Sequence, residues 1–210
     1  MTVDARILNW RFLLPVEPTS GLLLPAGDEP LAGTDVPGDR SAAAVRAACT
    51  GSPRDAVLAP DLSGWAADCV LPAARLLASL ADATAEGGYL YVGFANALYP
   101  ARPAPRSGLS LARCRRILHR RGMRVAAAYV ALPDHRLPAL MIPADGDELL
   151  YVLENQIFAF SDSRSRWTGS LRQLAVRGMR SLALAGPAAL RVDLAPAFGV
   201  LAVRPGGVAP

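Results

Sequence analysis

The sequence contains no lysine. All 22 of its cationic side chains are arginine, set against 18 acidic residues and two histidines, for a net charge of +4. With so much alanine, glycine and proline beside it, this bias is most simply a mark of GC-rich coding. Arginines selected as phosphate forks are the functional alternative. The excess of positive charge is too small and too dispersed to argue for nucleic acid. Cysteine is scarce as well. Cys49, Cys69 and Cys114 are far apart and show no CxxC or Cys/His spacing. That excludes a disulfide framework, argues against a metal site, and points to a reduced, cytoplasmic protein. No apolar run approaches the roughly 20 residues that span a bilayer. The opening MTVDARILNW carries Asp4 and Arg6 and lacks the apolar stretch of a signal peptide. Internal repeats are lacking too. So are a nucleophile elbow, a phosphate-binding Walker loop, an HExxH zinc helix and a paired-carboxylate glycosidase site.

What remains is globular. Of 210 residues, 52% are apolar and 19% charged, enough to build one domain with a real core. The expected organisation is an arm over residues 1–20, an α/β core over 21–204 and a tail over 205–210. Leu22 to Leu24 form a short apolar run that predicts a buried strand. Residues 25–40 are dense in Pro, Gly and Asp and read as loop. Ser41 is placed to cap a helix through Cys49. Ala56 to Ala59 predict a second strand, ended by Pro60 and Asp61. An alanine- and leucine-rich helix is predicted over 66–84, with Val70, Leu71, Ala74, Leu77 and Ala78 at helical spacing and Pro72 as a kink or a start. Gly87 and Gly88 end it before Tyr89–Phe94, the best strand in the chain. After a proline-rich loop, Ser110 caps a helix to Arg121 with Gly122 behind it. Strand MRVAAAYVAL follows, then the tight loop PDHRLP and a helix from Asp147 to about Phe160. A polar linker at 161–166, a helix near 169–180, β segments at 181–186 and 189–194, and a strand from Phe198 to Val203 complete the pattern. Strands alternating with helices predict an α/β sheet with right-handed crossovers.

Three stretches carry a family resemblance. LLASLADATAEGGYLYVGFAN is similar to the helix and Gly-Gly turn that lead into the fifth strand of class I S-adenosylmethionine (SAM)-dependent methyltransferases. SLARCRRILHRRGMRVAAAYVALPD resembles the following helix, its terminal glycine and the sixth strand. APAFGVLAVRP is similar to the strand that closes that sheet antiparallel. The WRFLLP-like arm and PDxxLP loop resemble a subset tied to specialised-metabolite or cell-surface sugar pathways. The resemblance covers roughly residues 56–204. It implies a Rossmann-like sheet, SAM as cofactor and a small-molecule acceptor.

The front departs from that pattern. The family binds its cofactor where the first strand meets a glycine-rich turn and a helix, with an acidic residue of the second strand on the ribose. Here the first strand ends in PAGDEP, and only Gly27 and Gly33 are available. Asp35 could stand for the ribose acid, yet it follows Gly27 by eight residues. A crossover with its helix needs about a dozen or more. The expectation is therefore a sheet truncated at the front, with one or two strand–helix units missing.

Candidate site residues follow from position. Gly27, Asp35 and Asp61 are the cofactor-side candidates, with Asp28 and Glu29 as loop neighbours. Asp61 follows the second strand at the carboxyl edge, where open α/β sheets bind ligands; a helix-cap role is its plain alternative. Asn96 ends the best strand at the same edge, and Trp10 belongs to an arm that lids the cofactor in the resembled family. Both are candidates for substrate contact. His135, beside Asp134 in the PDHRLP loop, is the candidate general base. His119 and the arginines around it read as a solvated basic helix face, or as a dock for an acidic or phosphorylated partner.

Two functions stand against each other. One is a non-catalytic or partner-dependent component of a biosynthetic pathway, a homodimer or part of a heteromeric complex. It predicts a crevice filled by side chains such as Leu31, Val36 or Trp65. The other is an active SAM-dependent methyltransferase on a small metabolite or sugar, with His135 or Asp134 as base.

Overall fold

A computed structural model of the chain describes residues 11–15, 20–27, 33–99, 108–132, 134–154 and 192–206. Apolar runs become strands, and serine-capped segments become helices. The strands β1 (Gly21–Leu23) and β2 (Thr34–Asp35) come first, then helix α1 (Ala42–Thr50) and β3 (Arg54–Ala59). Two helices, α2 (Leu62–Asp68) and α3 (Ala73–Asp82), lead to the long strand β4 (Thr84–Ala95). Helix α4 (Leu111–Arg120), β5 (Arg124–Leu132), β6 (Leu140–Pro143), α5 (Glu148–Glu154) and β7 (Ala197–Val203) follow. The fold is mixed α/β, with one Rossmann-like seven-stranded sheet in the order β2-β1-β3-β4-β7-β5-β6.

Strands β1 to β4 pair in parallel. β7 runs antiparallel to both of its neighbours, β4 and β5. The steps β2 to β3, β3 to β4 and β4 to β5 all move the same way across the sheet, and each carries a helix. Right-handed crossovers in one direction place their helices on one face. The main core follows that rule: Leu22, Val57, Val92 and Phe198 of the sheet pack with Val45, Trp65, Leu77, Leu118 and Leu149 from the five helices. The other face holds Leu23, Leu58, Tyr91 and Leu201, packed against Leu13 and Leu14 of the arm. The step β1 to β2 runs the other way, uses residues 24–33 and shows no helix among its described residues. The two strands pair directly, Gly21 opposite Thr34.

Local chemistry explains the boundaries. Ser41 Oγ accepts from Ala44 N–H at 3.1 Å and starts α1. Ser110 Oγ accepts from Arg113 N–H at 3.3 Å and starts α4, and Gly122 leaves it with φ +72°. The helix expected over 66–84 is two helices. α2 ends with Val70 N–H donating to Ala67 O and Leu71 N–H to Ala66 O, a Schellman closure, and Pro72 then begins α3. Val70 therefore leaves the apolar face predicted for it: it takes φ +53°, the left-handed conformation that glycine favours, and is 89% exposed.

Three further expectations change. Gly87 and Gly88 lie inside β4, not before it. The pairing jumps from Arg54↔Thr84 to Ala56↔Tyr89, so residues 85–88 bulge out, with Gly87 at φ +76°. The loop expected over 25–40 contains β2. The run LMIP, which no expectation covered, forms β6 and folds back on β5 as a hairpin. The described end of the β segment expected at 189–194 is a helical turn, with Ala195 N–H donating to Val192 O. Trp10, Leu31, the linker at 161–166, the helix near 169–180 and the segment at 181–186 lie outside the described residues. No helix among the described residues is long and apolar enough to cross a membrane.

Candidate functional site

β3 runs through Ala56 to Ala59, all buried, and delivers Pro60 and Asp61 to the carboxyl edge of the sheet. Asp61 is the N-cap of α2: its Oδ1 accepts from Gly64 N–H at 2.9 Å. The β5–β6 hairpin loop arrives at the same point. β5 lies three strand spacings from β3, about 14 Å, so this loop crosses the ends of β7 and β4 to reach it. Gly93 of β4 permits the approach. A Cβ there would collide with the Pro60 carbonyl and stand 3.4 Å from His135 Cβ.

The result is an imidazole held between two carboxylates. His135 Nε2 lies 2.9 Å from Asp61 Oδ1, and Nδ1 lies 2.7 Å from Asp134 Oδ1, the latter out of line for a hydrogen bond. Arg136 flanks Asp134, with Nη2 at 3.7 Å from Oδ2. His135 is 3% exposed and Asp61 4%. Burial alone would strip the charge from His135, but the close carboxylates of Asp134 and Asp61 outweigh it and raise the imidazole above its ordinary value. Burial likewise opposes the charge on Asp61. The bond and charge of His135, with the Gly64 N–H and Arg136, overcome that and hold it below the usual carboxylate range. The imidazole is thus flanked by a carboxylate at each ring nitrogen. The sequence singled out Asp61 and His135 for different tasks. The structure brings them together, with His135 joining the β5–β6 loop to the β3–α2 junction.

The carboxyl end of β1 is closed by different means. Trp65, 2% exposed on α2, donates its indole N–H to Pro25 O at 2.8 Å. The Arg40 guanidinium stacks over the Trp65 ring, 4.8 Å from its centroid. Arg40 also donates to Pro25 O at 3.2 Å and to Asp68 at 2.8 Å. Of the side chains named for the crevice, Trp65 is buried at this end of the sheet, whereas Val36 is 41% exposed. Arg40 was not foreseen, for it stands in a run of loop residues with no local signal.

The remaining candidates are engaged elsewhere. Gly27 lies in the bend after Pro25. Asp35 pairs with Arg54 at 2.7 Å. Arg54 opens β3 and Asp61 follows its end, about 20 Å away by strand rise, so Asp35 and Asp61 do not share a site. Asp35 and Arg54 line a cavity of about 340 Å³ with Ser20, Gly21, Gly33 and Thr34, at the amino edge of the sheet. Asn96 is buried. Its amide donates to Asp193 O at 2.7 Å and Ala195 O at 2.8 Å, and its Oδ1 accepts from Leu98 N–H. It ties β4 to the approach of β7, with no donor left for a substrate. Among the described residues no group of three His, Cys, Asp or Glu could hold a metal. Burial pushes the Cys49 thiol up to about 11 and Cys114 up to about 12, which leaves both unreactive.

No family model matches the chain, and no curated protein matches it. Among solved structures, the [4+2]-cyclase SpnF is similar over 84% of this chain and 58% of its own, at a TM-score of 0.39 and 14% identity. This chain thus spans a little under three fifths of that protein's length.

Proposed function

We propose that this chain is a methyltransferase-like protein that does not bind SAM and serves as a non-catalytic, partner-dependent component of a biosynthetic pathway in the cytoplasm. The observation that carries this reading is the Trp65 N–H on the Pro25 carbonyl, with Arg40 stacked above it. In the resembled family a cofactor needs open backbone donors at the end of β1, on a glycine turn leading into a helix. Here that end is occupied by an indole and a guanidinium, and the short β1–β2 link leaves no room for the helix. Asp35, the stand-in for the ribose acid, is committed to Arg54. The described residues do not fit the cofactor. A sheet with so short an edge strand as β2 also favours a second copy or a partner chain beside it.

The second reading is an active SAM-dependent methyltransferase on a small metabolite or sugar. It draws on one observation: Asp134, His135 and Asp61 meet at the carboxyl edge. It requires a neutral, reachable imidazole, and the burial and raised pKa of His135 oppose that. Isothermal titration of the full chain with SAM and with its demethylated product separates the two. No heat at millimolar ligand is expected. Micromolar binding would overturn the proposal, and loss of methyl transfer in His135→Ala would then establish the enzyme.

A further inference from the structure

We propose that the outward face of α4 docks an acidic segment of a partner protein. α4 turns Leu111, Cys114 and Leu118 into the core. Arg113, Arg116 and Arg120 stand on the opposite side, within about 60° of one another at 3.6 residues per turn, and all three are exposed. Among the described residues none of the three has an acidic partner. Their neighbours do. Arg115 bonds both carboxylate oxygens of Asp145, and Arg121 meets Asp82 at 2.7 Å. Among the described residues of α4 and its cap, arginine meets carboxylate along both flanks, and the outward row has no such match.

This row works against its own helix. Arg113 stands three residues after the N-cap Ser110, where a glutamate would close a capping box and complement the positive end of the helix dipole. Arg116 and Arg120 are like charges one turn apart, which repel. GC-rich coding explains arginine in place of lysine, but not a cation where the helix favours an acid. A local rule broken without gain inside the chain points to a use outside it.

The occupant follows from the patch. The row spans about 10 Å of helix, and no aromatic side chain interleaves it for stacking on bases. Asp82 and Asp145, each paired with an arginine, border it, so the unmatched charge is confined to one short row. None of the large exposed apolar residues lies on α4, so it has no anchor for a bilayer. A helical protein segment with Asp or Glu at three- and four-residue spacing meets the three guanidinium forks and stops where the aspartates begin.

The proposal names the surface that the partner-dependent reading needs, and it rests on that reading. The test is fluorescence anisotropy of the full chain with a fluorescein-labelled helical peptide carrying glutamates at that spacing. Arg113→Gln with Arg116→Gln is expected to weaken binding on the order of tenfold. Arg46→Gln with Arg75→Gln removes equal charge from other exposed helix positions and is expected to leave affinity within about twofold. No saturable binding, or equal loss in both pairs, would overturn the surface. So would tighter row-dependent binding of duplex DNA or of phosphatidylserine vesicles. Arg113→Glu is expected to raise Tm and weaken peptide binding together. A lower Tm with unchanged binding would assign Arg113 to the fold and overturn its docking role. Micromolar SAM binding overturns the partner-dependent reading by itself, whatever the peptide does.

Discussion

The carboxyl edge of the sheet is closed at two places by two kinds of chemistry. Beside β1 the plug is Trp65 under Arg40, an indole with one hydrogen bond and a stacked guanidinium. Over β3 and β4 the plug is His135 between Asp61 and Asp134, a buried cluster of titratable groups. The first is packing and holds across the pH range. The second depends on a proton. An edge that binds ligands in open α/β sheets is thus shut by one permanent device and one that titrates.

The largest break in this comparison is Asp61→Ala. It strands a buried imidazole and removes the α2 cap. The expected loss is about 4–6 kcal/mol, from about 3–5 for breaking a buried pair and about 1 for a helix cap. Chemical denaturation should read it as a large drop in midpoint. A loss under about 1 kcal/mol would mean that the cluster contributes nothing net. The pH dependence sharpens the contrast. His135 is raised in the folded chain, so its contribution is fully present below the unfolded value near about 6.5 and fades as pH rises through the folded value. Asp61 is lowered, so its contribution is present above the unfolded value near about 3.9 and fades as pH falls through the folded one. Melting temperature should therefore peak in the mildly acidic range and decline on both sides, and Asp61→Asn should flatten the alkaline limb. Trp65→Phe is smaller. Pro25 O keeps the Arg40 bond, so about 1 kcal/mol is lost, and the loss should be the same at each pH. A pH-dependent loss would couple the two plugs. The smallest effect is a gain. Val70→Gly relieves a left-handed β-branched residue worth about 1–2 kcal/mol, against about 0.5–1 for glycine's freedom in the unfolded chain. Tm should rise by a few degrees or less, and a fall would mean that the exposed valine is held by packing.

Much of the fold was legible because its signals are local. Ser41 and Ser110 announce α1 and α4 within four residues of the bonds they make. Ala56–Ala59 and Tyr89–Phe94 are apolar runs too short for helices. The site was legible only in pieces. Asp61 and His135 stand 74 residues apart, and nothing near either one names the other. Their meeting depends on a hairpin loop laid across two strand ends, which needs β6, a four-residue strand that periodicity does not reveal, and Gly93, whose missing side chain matters only once Pro60 is opposite. Arg40 on Trp65 is non-local in the same way. The break between α2 and α3 was hidden because Val70 and Leu71 continue a helical apolar pattern while their backbone reverses it.

β7 is last in sequence yet central in the sheet, bonded to β4 on one side and β5 on the other. Until Ala197–Val203 leave the ribosome, β1 to β4 and the β5–β6 hairpin are two half-sheets with facing raw edges and no bond between them. The sheet therefore cannot close until residue 203 has been made. A nascent chain paused ahead of residue 197 presents two open strand templates at once, and the seven residues of β7 cover both.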